Sequence, residues 1–153
     1  MPLRIWLLED DEPQADVIIA RLTDAYGSAG LALTYLRTEA EFVSQLDQSG
    51  AAPDVFIIDM LVRWTDPAPE AEMVPTPDEV QRDGYYRAGL RCIRRLRAKK
   101  ETERSPVVLY TVLDRADLEP EGIDAMPNVS ILGKEGDLDA LVTAIDRVTK
   151  HRR

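Results

Sequence analysis

The stretch VFIIDM, residues 55–60, decides the fold because it joins a buried strand to a charged residue. Four apolar residues in succession, Val55–Ile58, are typical of a strand that is covered on both faces of its sheet. Asp59 follows directly, although a charge is costly in the interior. Either Asp59 marks the point where the strand reaches water, or the strand holds this carboxylate in place. The residues at the ends of the other strands decide between the two.

Short apolar runs alternate with longer amphipathic segments along the chain. The apolar runs predict strands at Leu3–Leu8, Leu31–Leu36, Val55–Ile58, 107–110 and 129–132. Helical spacing of apolar residues predicts helices at 12–26, 38–48, 84–100 and from residue 137 onward. The region 114–128 carries only weak helical signal, because two prolines and a glycine interrupt it. This order predicts an α/β fold, a doubly wound five-stranded parallel sheet flanked by helices.

The composition restricts the location and the partners of the protein. Its 153 residues match one ordinary domain, so residues 1–153 are predicted to form a single domain. A net charge of −9 disfavours binding to nucleic acid and to anionic membranes. The one cysteine, Cys92, has no partner for an internal disulfide and lies among core-spaced residues, which predicts a buried thiol in a reducing compartment. No apolar run approaches the roughly 18 residues that span a bilayer, so a soluble cytoplasmic protein is expected.

Charged and hydroxyl side chains follow the predicted strands where the strands end. In doubly wound sheets, ligands bind outside these carboxyl ends. The residues at the ends are, in chain order, Glu9, Asp10, Asp11, Asp59, Thr111 and Lys134. Several carboxylates at one edge repel one another, and a divalent cation relieves that repulsion. Oxygen ligands with room for water favour Mg²⁺, which is the cofactor that the pattern predicts.

Asp59 is the candidate reactive group at this edge. A carboxylate that a metal supports can act as a nucleophile toward phosphorus. Lys134 offers a mobile positive charge for one phosphoryl oxygen, and Thr111 offers a hydroxyl donor for another. The buried strand is therefore interpreted as a rigid support that presents Asp59 to a metal ion and a phosphoryl group.

Four short motifs stand at successive strand ends: LLEDD, FIID, LYT and LGK. With these motifs the chain resembles a CheY-like response-regulator receiver domain of two-component signalling, over essentially its whole length. The resemblance implies a flavodoxin-like fold and a stand-alone signalling switch without turnover of its own. It implies that Asp59 accepts a phosphoryl group from a histidine kinase, a phosphotransfer protein or a small phosphodonor, and that a downstream protein reads the result. The residues leave open whether the chain forms a homodimer.

The resemblance also implies roles for the site residues. The acid pair and Asp59 would bind Mg²⁺ together with the main-chain carbonyl of Leu61, and Thr111 and Lys134 would contact the phosphoryl oxygens. Strand length favours Glu9 and Asp10 as the pair, because four apolar residues precede Glu9. The phase of the first helix also admits Asp10 with Asp11, which remains the alternative.

The segment 61–83 departs from the family, whose loop after the phosphorylated aspartate is short and ends in Asp-Gly. Asp83 and Gly84 fit that ending, but the segment before them is long and holds four prolines and six acidic residues. Such a composition predicts a long insertion without a regular helix, lying beside the site. Two interpretations stay open: a disordered insertion, or a partly ordered lid with Trp64 or Met73 packed against the body.

Three single residues also depart from the family. Val112 stands where a small residue usually follows the threonine, Ile131 stands where an aromatic switch is usual, and Glu135 replaces the usual proline. They support an alternative function, a pseudo-receiver that binds a protein partner without phosphorylation. A Mg²⁺-dependent phosphohydrolase would need a second acid beside Asp59, and Met60 and Leu61 offer none.

The helix predicted at 84–100 is rich in basic residues. They are Arg87, Arg91, Arg94, Arg95, Arg97, Lys99 and Lys100. Few aromatic residues lie among them, so a solvated face that is partly paired with the acidic segment 61–83 is expected rather than a nucleic-acid surface. His151 lies in a basic tail, where no catalytic role is expected.

Overall fold

Five parallel strands form the centre of the fold. The computed structural model describes residues 1–69 and 72–150. The strands are β1 (Leu3–Leu8), β2 (Leu31–Leu36), β3 (Val55–Ile58), β4 (Val107–Thr111) and β5 (Val129–Gly133). They form one sheet in the order β2-β1-β3-β4-β5, so the strand order reverses between β1 and β3. The predicted doubly wound parallel sheet is confirmed.

Helices connect the strands and cover both faces of the sheet. They are α1 (Glu12–Tyr26), α2 (Glu39–Gln48), α3 (Asp78–Asp83), α4 (Ala88–Ala98), α5 (Arg115–Leu118) and α6 (Leu138–Thr149). Single 3₁₀ turns lie at Tyr85–Arg87, Glu119–Glu121 and Ile123–Ala125. Among residues 1–69 and 72–150, none of the helices combines the length and the apolar character that crossing a bilayer requires.

Two cores lie on opposite faces of the sheet. On one face, α2 and α4 cover an aromatic cluster in which the rings of Trp6 and Phe56 pack edge to face at 5.3 Å. On the other face, α1 and α6 cover the remaining strand residues. Phe56 belongs to the first core and its neighbour Ile57 to the second. Because both faces of β3 are buried, the strand reads as a continuous apolar run. Cys92 is fully buried in the first core, as predicted.

The helix predicted at 84–100 is shorter than expected. Gly84 has φ 73° and ψ −179°, which is a conformation that favours glycine and cannot continue a helix. The chain therefore passes through the 3₁₀ turn Tyr85–Arg87 before α4 begins at Ala88.

The expectation that the segment 61–83 contains no regular helix is wrong for its last residues. Pro77 immediately precedes α3, and none of the four prolines falls inside it. Val80 of this helix is buried. Because proline disrupts a helix only from within, a proline-free stretch after Pro77 can form one.

The start of the same segment is packed against the body. Val62 is fully buried in the first core, and the carbonyls of Arg63 and Trp64 accept hydrogen bonds from the first turn of α2. The indole N–H of Trp64 donates to the carbonyl of Pro75 at 3.1 Å. Met73, the other side chain considered for packing against the body, is 50% exposed. The residues that pack against the body are therefore those at the base of the segment.

The basic residues around α4 are largely paired. Glu79 and Asp83 of the acidic segment pair with Arg95 at 2.6 Å and with Arg87 at 3.8 Å, as predicted. Arg91 is not on a solvated face, since it is only 5% exposed and forms a bidentate pair with the buried Glu39. His151 lies outside the described residues.

Candidate metal centre at the strand ends

Three carboxylates meet where β1 and β3 end. These strands are neighbours, with Leu8 opposite Ile58, so the residues that follow them lie side by side. Oxygen atoms of Glu9, Asp10 and Asp59 all lie within 4.8 Å of one another. Glu9 is 2% exposed and Asp59 is 5% exposed, which makes the repulsion between them costly. The sheet therefore brings together the acids that the strand ends predicted.

Asp11 has a different role in the structure. Its side chain is the N-cap of α1 and accepts a hydrogen bond from the amide of Gln14 at 3.2 Å. An aspartate is one of the preferred residues at this position because it satisfies a free amide of the first turn. Glu9 and Asp10 thus lie together with Asp59, whereas Asp11 caps α1.

Lys134 bridges the two buried acids. Its Nζ donates to Glu9 Oε2 and to Asp59 Oδ2, both at 2.8 Å, and to Gln14 Oε1 at 3.2 Å. The amide of Lys134 donates to the carbonyl of Thr111 at 2.9 Å, which fixes the backbone after β5. Sequence reasoning missed Gln14, although its place in the first turn of α1 puts it at this edge.

Burial and charge shift the acid–base equilibria of the site. Burial and the neighbouring Asp59 charge raise the pKa of Glu9 to about 7, against the opposing effect of Lys134. Burial by itself lowers the pKa of Lys134, but the Asp59 and Glu9 carboxylates outweigh it and the pKa is raised. Because one ammonium group faces two carboxylates, Lys134 stays positively charged, whereas the negative charge of Glu9 is only partly neutralised.

Thr111 is the last residue of β4, and Val112 follows it at the same edge. Thr111 is fully buried, and its hydroxyl oxygen accepts a hydrogen bond from the amide of Leu113 at 3.2 Å. A hydroxyl that accepts one hydrogen bond can still donate its own hydrogen. Val112 is 57% exposed at the end of the strand. Ile131, at the position of the expected aromatic switch, is partly buried and packs against the first core.

The backbone after Asp59 passes very close to α4. The amide of Leu61 donates to Asp59 Oδ1 at 3.3 Å, and the amide of Gly89 donates to the carbonyl of Met60 at 3.1 Å. A Cβ atom at position 89 would stand 2.7 Å from the carbonyl oxygen of Asp59. Only glycine fits this approach without movement of the backbone that carries Asp59. Sequence reasoning missed Gly89, because nothing local to the helix marks it.

The donor set fits Mg²⁺. The carboxylates supply the hard oxygen ligands that this ion prefers. Glu9, Asp10 and Asp59 each offer an oxygen within 4.8 Å of the other two, so these three residues would hold the ion.

Solved structures share this architecture. A Francisella response-regulator receiver domain is 17% identical to the chain, with a TM-score of 0.66 and coverage of 98% of each chain. A putative response regulator from Chloroflexus aurantiacus is 19% identical, with a TM-score of 0.70 and coverage of 98% of this chain and 99% of the other. A chemotaxis response regulator from Vibrio cholerae is 15% identical, with a TM-score of 0.67 and coverage of 97% and 99%. No protein-family model and no curated protein sequence matches the chain.

The chain has the receiver-domain fold. At these identities the likeness establishes the fold alone. In this receiver fold the acidic group lies where the strand order reverses, which is where doubly wound sheets bind ligands. The matches cover nearly the whole of both chains. The prediction that the segment 61–83 is an insertion relative to other receiver domains therefore stays a prediction.

Proposed function

We propose that the chain is a response-regulator receiver that is phosphorylated on Asp59 with the help of Mg²⁺. The observation that carries this proposal is the close group of Glu9, Asp10 and Asp59, with Lys134 bonded to two of the three. A buried acid cluster of this kind is costly to the fold, and phosphoryl chemistry gives a reason for its presence.

Each site residue has a proposed role in this reaction. Glu9, Asp10, Asp59 and the main-chain carbonyl of Leu61 would hold the metal ion. When bound, Mg²⁺ supplies positive charge that stabilises the phosphoryl oxygens. An oxygen of Asp59 forms the new bond to phosphorus, and the bond between phosphorus and the donor breaks with its electron pair going to the donor. Thr111 and Lys134 would contact the phosphoryl oxygens.

The signal would arise from the redistribution of charge at the site. A phosphoryl group adds close to two negative charges and three acceptor oxygens. Lys134 already contacts Asp59 Oδ2, so a small movement of its Nζ would bring it to a phosphoryl oxygen. Because the backbone amide of Lys134 is hydrogen-bonded to the carbonyl of Thr111, such a movement would favour a different arrangement of the ends of β4 and β5.

Intact mass spectrometry after incubation with Mg²⁺ and acetyl phosphate tests the proposal. The wild-type chain should gain the mass of one phosphoryl group, and chelation of Mg²⁺ should prevent the gain. Asp59→Asn should abolish it. Labelling that persists in Asp59→Asn would contradict the assignment of Asp59.

A second candidate function is a pseudo-receiver that binds a protein partner without phosphorylation. The exposed Val112 beside the site and the aliphatic Ile131 in the first core support it. Absence of any labelling of the wild-type chain, with the fold intact, would favour this alternative over the first proposal.

The remaining expectations belong to the first proposal. A histidine kinase or a phosphotransfer protein would donate the phosphoryl group, and a downstream protein would bind the phosphorylated form. The chain would act as a switch and not as an enzyme with turnover of its own. A cytoplasmic location follows from the single cysteine and stays a prediction.

A further inference from the structure

Arg63, in the segment that follows β3, is bound directly to Asp10. Its amide donates to Asp10 Oδ2 at 3.1 Å, and its Nη2 donates to the carbonyl oxygen of Asp10 at 3.0 Å. The guanidinium Nε lies 3.7 Å from the same Oδ2. The two residues are 53 positions apart in the sequence, so only the fold brings them together.

The backbone of Arg63 is fixed in this position. Its carbonyl accepts a hydrogen bond from the amide of Glu39 at 3.0 Å, and the carbonyl of Trp64 accepts one from Ala40 at 2.9 Å. These are the first two residues of α2, whose amides have no partner within the helix. The guanidinium group of Arg63 is therefore tethered within reach of the acid cluster.

The two cations at the site divide the three carboxylates between them. Lys134 contacts Glu9 and Asp59, and Arg63 contacts Asp10. The Arg63 side chain is 43% exposed and the Asp10 side chain is 24% exposed, so their attachment is looser than that of the buried Lys134. Arg63 also has a second acidic neighbour, since its Nη1 lies 3.5 Å from Asp66 Oδ1.

We propose that Arg63 is a built-in competitor of the divalent cation at Asp10. Its guanidinium is the resident counter-ion of Asp10 in the metal-free protein, while its peptide N–H orients the Asp10 carboxylate in both states. When a divalent cation binds, the guanidinium leaves Asp10 and pairs with Asp66. Metal affinity is thus set partly by the segment 61–83. This inference rests on the proposed metal site.

Calorimetric titration of the full chain with Mg²⁺, at low and at high salt, tests the competition. Arg63→Gln keeps the peptide N–H and removes the charge. Arg82→Gln is the matched control, because Arg82 belongs to the same segment, loses the same charge and is 71% exposed. By Coulomb's law, a unit positive charge about 7 Å from a dication weakens its binding about three- to tenfold at low salt. We expect Arg63→Gln to tighten Mg²⁺ binding by that factor relative to Arg82→Gln, and less at high salt.

A second pair of variants tests the role of Asp66. Asp66→Asn should weaken Mg²⁺ binding more than Asp78→Asn, an exposed acid of the same segment, because Arg63 then loses the second acid that it contacts. In the Arg63→Gln background the difference between these two variants should vanish. Mg²⁺ should also shift the NMR signal of the Arg63 Nε–H group in the wild-type chain and leave that of Arg82 in place.

The outcomes separate the competition from the metal site itself. Equal Mg²⁺ affinity in Arg63→Gln and Arg82→Gln would overturn the competition and leave the metal site standing. Weaker binding in Arg63→Gln would overturn it as well, because the side chain would then assist the metal. A wild-type chain that binds no Mg²⁺ would remove both the metal site and the competition.

Discussion

Replacement of Glu9 by glutamine should stabilise the metal-free protein at neutral and alkaline pH. Burial and the Asp59 charge raise the pKa of Glu9 from 4.5 to about 7 in the folded chain. A group whose pKa is raised on folding favours the fold when it is protonated and opposes it when it is charged. The contribution of a neutral Glu9 to the stability of the fold is fully present below about pH 4.5, and it is lost as the pH rises to about 7.

The size of the effect follows from the same shift. A rise of the pKa from 4.5 to about 7 corresponds to roughly 3 kcal/mol of unfolding free energy. Glutamine stays neutral, but it keeps only a neutral hydrogen bond to Lys134 and loses the acceptor that Glu9 Oε1 offers to the amide of Asp11. Each of these losses costs about 1 kcal/mol. Glu9→Gln should therefore be about 1 to 2 kcal/mol more stable than wild type at pH 8.

Urea unfolding in the presence of a chelator measures the difference across pH. The advantage of Glu9→Gln should grow between pH 4.5 and 7 and stay constant above. Glu103→Gln removes the same charge from an exposed position and is the control. Excess Mg²⁺ should reverse the order of wild type and variant, because only the wild-type site keeps three carboxylates. A stability difference that does not change with pH would refute the argument that Glu9 is charged at a cost.

Three further variants probe the surroundings of the site. Lys134→Ala should lower the stability of the metal-free protein by about 3 kcal/mol, because it leaves Glu9 and Asp59 unpaired. In Lys134→Ala, phosphorylation should no longer shift the amide NMR signals of the residues beside position 134. A shift as large as that in wild type would contradict the proposed coupling. Gly89→Ala should cost about 1 to 3 kcal/mol in urea unfolding, because its Cβ would stand 2.7 Å from Asp59 O, and Gly136→Ala, where the nearest atom is 3.7 Å away, is the control. Replacement of residues 65–76 by a short Gly/Ser linker spares α3 and removes acids that repel anionic phosphodonors, so acetyl phosphate should label Asp59 faster when Mg²⁺ is saturating and the loss of Asp66 no longer limits metal binding. A labelling rate equal to that of wild type at matched ionic strength would mean that these acids do not influence the reaction.

Local sequence determined the sheet and the residues at its edge. Apolar runs such as Val55–Ile58 are marked by their own composition, and the residue after a strand necessarily lies at the strand's end. Glu9, Asp59 and Lys134 could therefore be placed together before their distances were known. The choice between Glu9 and Asp11 as the second acid beside Asp10 needed the structure, because an acid before a helix can cap that helix or face a metal until the backbone direction is known.

Only the tertiary structure decided which distant groups meet around that edge. Arg63 meets Asp10 across 53 residues, Arg91 meets Glu39 across 52, and Gly89 meets the backbone of Asp59. None of these contacts leaves a periodic pattern, because each depends on the path of a loop or on the distance between a helix and a strand. Hydrophobic period and strand ends are properties of a few neighbouring residues, whereas the pairing of a charge or the need for a glycine depends on how whole elements pack.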